Sequence, residues 1–178
     1  MSDIEIRKIT KENADALALP NDPFLNTGLV LPRYDENGWS YSFRFFSAEE
    51  VTEDCFPDEH YVFEEMGENF YGLAAYADGE CAGFALLFKE FGKFLYLDNL
   101  LVPAKYRRQG VGSALVRASL ELAKELSMIG VKLVCQDNNL QAAQFYFANG
   151  FELGGVDTRS YDGTRQEGKK DLYLYLKY

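Results

Sequence analysis

One arginine and two glycines follow the spacing Arg107-x-x-Gly110-x-Gly112 in the middle of the chain, directly before a long amphipathic segment. Glycine has no Cβ, so a ligand can approach its backbone closely. The first N–H groups of a helix have no partner inside the helix and carry partial positive charge. Together with the basic side chains, these groups predict a binding site for an anion the size of a diphosphate.

A strand and a helix must flank this loop to position it. Period-two alternation from Phe94 to Val102 predicts a strand with Leu95, Leu97 and Leu101 on one face and Tyr96, Asp98 and Leu100 on the other. Pro103 has no N–H for a ladder and ends the strand. An apolar stripe at helical spacing predicts a helix from about Gly110 and consists of Val111, Leu115, Ala118 and Leu122.

The glycine motif differs from two common nucleotide-binding motifs. Ser113 and Ala114 follow the second glycine, so the Gly-Lys-Ser/Thr ending of a P-loop is missing. The third glycine of the dinucleotide fingerprint is also missing at the required spacing.

A second segment, Gln136 to Gly155, completes a resemblance to a known family. Strand, R/Q-x-x-G-x-G and long helix resemble the cofactor-binding motif of the GNAT superfamily of acetyl-CoA-dependent N-acetyltransferases. The later segment resembles the superfamily motif N-x-x-A-x-x-F-Y-x-x-x-G-F, with matches at Asn139, Ala142, Phe145, Tyr146, Gly150 and Phe151. Within the superfamily, Q-D-N-N followed by G-F-x-x-G-G-x-D is most similar to streptothricin acetyltransferases. The resemblance spans about Tyr71 to Tyr178.

The resemblance implies a mixed α/β structure with the GNAT acyl-CoA N-acyltransferase fold, in which helices cover both faces of the sheet. It also implies one domain over residues 1–178. Residues 1–70 would form the variable half on the substrate side, and residues 71–178 the half that binds acetyl-CoA.

The pattern along the chain predicts a mixed sheet of about seven strands. Residues 20–38 are rich in Pro, Asn, Gly and Asp and predict a loop with one helical turn, followed by an aromatic-faced strand over residues 39–45. Asp78-Gly79 is a strong hairpin signal between Tyr71–Ala77 and Cys81–Lys89.

The predicted cofactor contacts comprise a strand end, the glycine loop and two residues of the second motif. The backbone of Leu100, Leu101 and Val102 is expected to pair with the pantetheine amides by strand-like hydrogen bonding. The diphosphate contacts are expected from Arg107, Arg108, Gln109, Gly110, Val111, Gly112 and Ser113. Asn139 and Tyr146 complete the cofactor set by resemblance. The basic residues are also compatible with a solvated loop, and Asn139 with a helix cap.

Acetyl transfer to an amine needs a base, because an alkylammonium of pKa about 10.4 is almost wholly protonated at pH 7. Asp98 is the candidate base, although partnership with a nearby arginine fits it equally well. Tyr146 matches the superfamily tyrosine that resembles a general acid for the leaving thiolate, and its alternative is a place in the aromatic core. Val134 stands where some relatives carry a glutamate, which leaves the identity of the base open.

Composition limits the setting of this chemistry. A formal net charge of −10 disfavours nucleic-acid binding and weakly favours small cationic substrates. Three cysteines without a C-x-x-C pair, together with an N-terminus lacking an apolar signal core, favour a cytoplasmic protein. No apolar run approaches the length of a membrane span. We expect no metal, and either a monomer or a homodimer.

The sequence therefore predicts a cytoplasmic N-acetyltransferase that acetylates a primary amine by direct transfer from acetyl-CoA, with a streptothricin-type antibiotic as the leading acceptor. A protein N-terminal or lysine acetyltransferase is the first alternative. A non-catalytic sensor domain that binds acyl-CoA is the second, and Val134 is its main support.

Overall fold

The structure is a computed structural model and describes residues 3–178. Its strands are β1 Ile4–Lys8, β2 Phe24–Asn26, β3 Gly28–Asp35, β4 Gly38–Phe45, β5 Thr52–Asp54, β6 Phe70–Ala77, β7 Glu80–Lys89, β8 Phe94–Leu101, β9 Gly130–Gln136, β10 Glu152–Asp157 and β11 Asp171–Lys177. The α-helices are α1 Val111–Glu125 and α2 Leu140–Ala148, and 3-10 helices occupy Lys11–Ala18, Phe63–Glu65 and Ala104–Tyr106.

The chain forms two compact units that alternate along the sequence. The first contains the residues up to Asp22, Cys55–Val131 and Lys177–Tyr178, and the second contains Pro23–Asp54 and Lys132–Leu176. The main sheet has seven strands, with the order β1-β6-β7-β8 in the first unit and β9-β11-β10 in the second, apart from Gly130, Val131 and Lys177 at the strand ends. The predicted mixed α/β fold with about seven strands is confirmed. The unit boundaries do not follow the division at residue 70, and the single-domain assignment stays a prediction.

The core of the first unit lies around β7. Phe84 and Leu86 pack with the first 3-10 helix, and Ala85 and Leu87, which alternate with them, are equally buried. A strand with both faces buried needs cover on each side. Helix α1 packs against β1, β6, β7 and β8. In its predicted apolar stripe Val111, Leu115 and Leu122 are buried, whereas Ala118 is only partly buried.

One prediction for β8 was wrong because the strand contains a bulge. Leu97 pairs with Leu87, whereas Asn99 pairs with Leu86, so Asp98 is an extra residue between the two pairs. Residues that pair across two strands point to the same face. Leu95 and Leu97 therefore face the Leu87 side, whereas Leu101 pairs with Phe84 and joins the opposite face.

The prediction of a loop over residues 20–38 was also wrong. β2 pairs with β5, and β3 forms a regular hairpin with β4. The signal that we overlooked is Asn37-Gly38, since Gly38 has φ +96° and Asn37 donates its N–H to Asp35. Pro32 argued against a strand, but β3 has a partner on one side only in its two-stranded sheet, where proline is tolerated.

Candidate active site

The glycine loop of the first unit has the backbone that an anion site requires. Gly110 has φ +90° and precedes α1, whose first intrahelical bond runs from the Ala114 N–H to the Gly110 carbonyl at 2.9 Å. Among residues 3–178, no side chain caps this helix end. A Cβ built on Gly110 would meet only Ile4, at 3.8 Å, so the space beside the turn is open. The loop therefore fits a diphosphate.

The polar side chains of the loop differ in what they contact. Arg107 Nε donates to the Val102 carbonyl at 3.0 Å, and Gln109 Nε2 donates to the Lys105 carbonyl at 2.7 Å. Lys105 itself forms an ion pair with Glu80 at 3.0 Å. Arg108 is exposed with φ +60° and has no hydrogen bond or ion pair with any other residue in 3–178. All donors of the Arg108 guanidinium are thus available for an incoming anion, whereas Arg107 uses its Nε–H within the loop.

The end of β8 lies unusually close to β7. A Cβ built on Gly83 would be 2.6 Å from the Leu101 carbonyl oxygen, so a side chain there would displace the backbone. Leu100 and Leu101 pair with Ala85 and Phe84, which orders the segment expected to bind pantetheine. The Val102 carbonyl already accepts from Arg107 and retains one lone pair.

Asp98, the candidate base, is the extra residue of the β8 bulge and is exposed. Loss of hydration, followed by the charges of Glu59 and Glu90, raises the pKa of Asp98 above its ordinary value. Each of these effects disfavours the ionised carboxylate. A bulge removes a residue from the ladder and redirects its side chain, which suits a group that must meet a substrate.

Sequence reasoning missed Tyr61, which lies beside this bulge. Asn99 Nδ2 donates to the Tyr61 hydroxyl at 3.0 Å, and the Tyr61 ring meets Phe84 edge-on at 6.2 Å. Burial raises the pKa of the Tyr61 phenol, and the charge of Asp98 adds to that rise. The only sequence signal was an aromatic residue within an acidic stretch, which does not identify a contact with β8.

The second motif lies in the second unit. Asn139 is the N-cap of α2, since its Oδ1 accepts from the Ala142 N–H at 3.3 Å, as the helix-cap alternative predicts. Tyr146 is half-buried on α2, and its ring meets Phe145 and Phe151 edge-on at 5.3 and 5.4 Å. The ring is therefore part of an aromatic cluster, and a catalytic role for its hydroxyl stays a prediction.

The Q-D-N-N segment before α2 also orders the long loop that follows β10. Asp137 is 3% exposed, and its Oδ1 accepts from the Lys170 N–H at 3.0 Å. Gln136 Nε2 donates to the Tyr161 hydroxyl at 2.7 Å, and that hydroxyl donates to Asp171 Oδ1 at 2.7 Å. The motif thus has a structural role that its resemblance alone did not indicate.

Two further residues on β9 were considered at the sequence level, one for reactivity and one for a missing glutamate. Cys135 is buried, and burial raises the pKa of its thiol to about 12, which makes it an unreactive strand residue. Val134 is exposed on β9. In the part of the chain that the structure describes, no three His, Cys, Asp or Glu side chains are arranged to hold a metal ion.

The predicted site residues divide between the two units. Asn139 and Tyr146 belong to the second unit. The first unit contains Asp98, Leu100, Leu101, Val102, Arg107, Arg108, Gln109, Gly110, Val111, Gly112 and Ser113.

Over residues 3–178, neither α-helix has the length and apolar composition that crossing a bilayer requires.

Comparison with known proteins identifies the family. Streptothricin acetyltransferase A of Bacillus subtilis (strain 168) is 31% identical, over 97% of this chain and 99% of that protein. Streptothricin acetyltransferase of Streptomyces lavendulae is 26% identical, over 98% of this chain and 95% of that protein. A Bacillus anthracis str. Ames protein assigned as a streptothricin acetyltransferase, solved with acetyl coenzyme A, superposes with a TM-score of 0.87 at 26% identity, over 99% of this chain and 100% of that one. Residues 35–151 match the model of the Acetyltransferase (GNAT) family, and the chain belongs to this family of acetyltransferases.

Proposed function

We propose that this GNAT acetyltransferase transfers acetyl from acetyl-CoA to a primary amine of a streptothricin-type antibiotic, and so protects a cell from it. The observation that carries the proposal is the similarity to streptothricin acetyltransferase A along nearly the whole of both chains. The acidic surroundings of Asp98 support a cationic acceptor, since Glu59 and Glu90 lie near enough to raise its pKa. We further propose a cytoplasmic enzyme that is a monomer or a homodimer.

Acetyl-CoA supplies the acetyl group as a thioester whose thiol is the leaving group. The α1 N-terminus and Arg108 would hold the diphosphate, and the backbone from Leu100 to Val102 would align the donor along the strand. Backbone N–H groups near Leu101 would stabilise negative charge on the thioester carbonyl oxygen.

Two residues move protons in the proposed mechanism. Asp98 accepts a proton from the substrate ammonium, directly or through water, and its raised pKa makes it a stronger base than an ordinary aspartate. Tyr146 donates its hydroxyl proton to the leaving sulfur. A thiol of pKa about 8.5 needs little help to leave, so the contribution of Tyr146 is smaller than that of the base.

The function is tested by measuring thiol release from acetyl-CoA with a panel of acceptors: streptothricin-type antibiotics, polyamines, and peptides with free N-termini or lysines. We expect turnover with the antibiotics at a kcat/KM at least about 10⁴ M⁻¹ s⁻¹, the lower end of the usual enzyme range. Mass spectrometry of the product should show one added acetyl group.

The same panel separates the alternatives. Turnover of peptides without turnover of antibiotics would overturn the proposed substrate and favour a protein acetyltransferase. Acetyl-CoA binding by calorimetry without thiol release on any acceptor would favour a non-catalytic sensor.

The role of Tyr146 is tested with Tyr146→Phe, which removes the hydroxyl and retains the ring contacts with Phe145 and Phe151. We expect kcat to fall about tenfold, below the usual range for acid catalysis because the thiol leaves readily. Calorimetry should show little change in acetyl-CoA affinity. Equal turnover at saturating substrate would remove Tyr146 from the mechanism. Phe145→Tyr, which adds a hydroxyl one position away, should not restore turnover in the Tyr146→Phe background.

A further inference from the structure

Two acidic side chains from distant parts of the sequence contact the diphosphate loop, residues Pro103–Gly110. Asp22 Oδ2 accepts from the Ala104 N–H at 2.5 Å, across 82 positions of sequence. Glu80 Oε2 accepts from Lys105 Nζ at 3.0 Å and from the Tyr106 hydroxyl at 2.6 Å. All of these residues belong to the first unit. Carboxylates beside a site for an anion oppose its binding by charge, so their presence calls for a compensating role.

Asp22 supplies a cap that the loop itself lacks. The 3-10 helix Ala104–Tyr106 has Pro103 at its N-cap, and proline offers no side-chain oxygen to the first N–H groups. The Asp22 carboxylate fills that position with a charge-assisted hydrogen bond. The preceding residue, Asn21, is fixed by two hydrogen bonds. Its backbone N–H donates to Asp58 Oδ1 at 2.7 Å, and its Nδ2 donates to the Pro57 carbonyl at 3.0 Å.

Glu80 orders the next two residues of the loop. It lies at the start of β7, directly after the Asp78-Gly79 turn, and holds Lys105 and Tyr106 by the same carboxylate oxygen. Lys105 Nζ also lies 4.6 Å from the centre of the Tyr106 ring. The Glu80–Lys105 pair is exposed and contributes little alone, so the Tyr106 hydroxyl contact matters for the order of the loop.

We infer that Asp22 and Glu80 are positioning residues for acetyl-CoA: they hold the loop between β8 and α1 in the conformation that accepts the diphosphate. A loop ordered before binding loses less conformational freedom on binding, so the affinity for the donor rises. Neither residue contacts the reacting groups in this account. The inference rests on the proposed function, because it assumes that the diphosphate binds at Gly110.

A truncated donor separates positioning from a general structural role. S-acetyl-pantetheine carries the thioester and the amide arm but lacks the diphosphate. For Asp22→Ala we expect KM for acetyl-CoA to rise roughly fivefold at unchanged kcat, as loss of a cap predicts. Its kcat/KM with S-acetyl-pantetheine should stay unchanged. Asp22→Asn keeps an oxygen acceptor and should recover most of the affinity. Glu80→Gln should show the same pattern with a smaller change.

Asp35→Ala is the matched control, because Asp35 also accepts a backbone N–H, from Asn37 at 2.8 Å, but lies in the second unit. Asp35→Ala should leave kcat and KM unchanged with both acetyl-CoA and S-acetyl-pantetheine. An equal loss of Asp22→Ala activity with both donors, or an unchanged KM for acetyl-CoA, would overturn the inference. Gly110→Glu could raise KM for acetyl-CoA without affecting S-acetyl-pantetheine, while the Asp22 and Glu80 variants leave KM for both donors unchanged. In that case only the positioning role fails. If Gly110→Glu also leaves KM unchanged for both donors, the proposed diphosphate site fails together with the positioning role.

Discussion

Gly110→Glu is expected to weaken acetyl-CoA binding roughly 100-fold, because it places a carboxylate where the diphosphate should bind. Charge repulsion and its screening by solvent set the size of this effect. Like charges about 5 Å apart near a protein surface repel by about 3 kcal/mol, and solvent screening reduces that value. A Cβ at Gly110 has room, since its nearest neighbour would be Ile4 Cδ1 at 3.8 Å. Calorimetry with acetyl-CoA measures the change.

Gly110→Gln is the control for this variant. Gly110 has φ +90°, so any side chain there strains the backbone by about 1 kcal/mol, whatever its charge. Glutamine matches glutamate in size and strain and lacks only the charge. The ratio of the two dissociation constants therefore isolates the electrostatic effect, and it should shrink as salt is added. Equal affinities of the two variants would show that the diphosphate binds elsewhere.

Asp98→Asn is expected to lower kcat about 100-fold at pH 7, the lower end of the usual contribution of a general base. In the unmodified protein, kcat/KM should fall as pH falls through the raised pKa of Asp98, so the acid limb should lie above the ordinary aspartate range. That limb should be absent from the Asp98→Asn profile. Retained turnover with an unchanged acid limb would exclude Asp98 as the base.

Glu59→Gln tests the cause of the pKa shift. The Glu59 charge contributes to raising the pKa of Asp98, so removing it should move the acid limb of the profile to lower pH. The base itself remains, and catalysis at pH 7 should therefore persist. If the acid limb does not move, then either the pKa shift comes from loss of hydration and the charge of Glu90, or the limb belongs to another group.

The same pKa shift predicts how Asp98 affects folding. A carboxyl group whose pKa is raised in the folded state stabilises that state below its unfolded pKa, and the contribution is lost as pH rises through the folded pKa. At pH 7 the ionised Asp98 is thus unfavourable for the fold. Asp98→Asn, which resembles the neutral form, should unfold in urea at pH 7 at a midpoint no lower than the unmodified protein. This comparison shows that lost activity does not come from lost structure.

Local patterns were enough to place the diphosphate loop and α1. Glycine before an apolar stripe of period 3.6 requires a turn and then a helix, and the structure has Gly110 at φ +90° and α1 at Val111–Glu125. The Asp78-Gly79 turn and the Asn139 cap followed from the same kind of local backbone chemistry. These features depend on a few neighbouring residues, so the sequence alone could reveal them.

Long-range pairing decided the rest. A period-two argument assumes one residue per step and cannot detect the extra residue at Asp98, which moves Leu101 to the opposite face of β8 and is defined only by the pairing with β7. Asp22 and Glu80 reach the loop across 82 and 25 positions of sequence, and a hydrogen bond over that separation leaves no local pattern. The residues predicted to bind the anion were thus evident from their neighbours in sequence, whereas the distant residues that contact the loop emerged only when the folded chain brought them together.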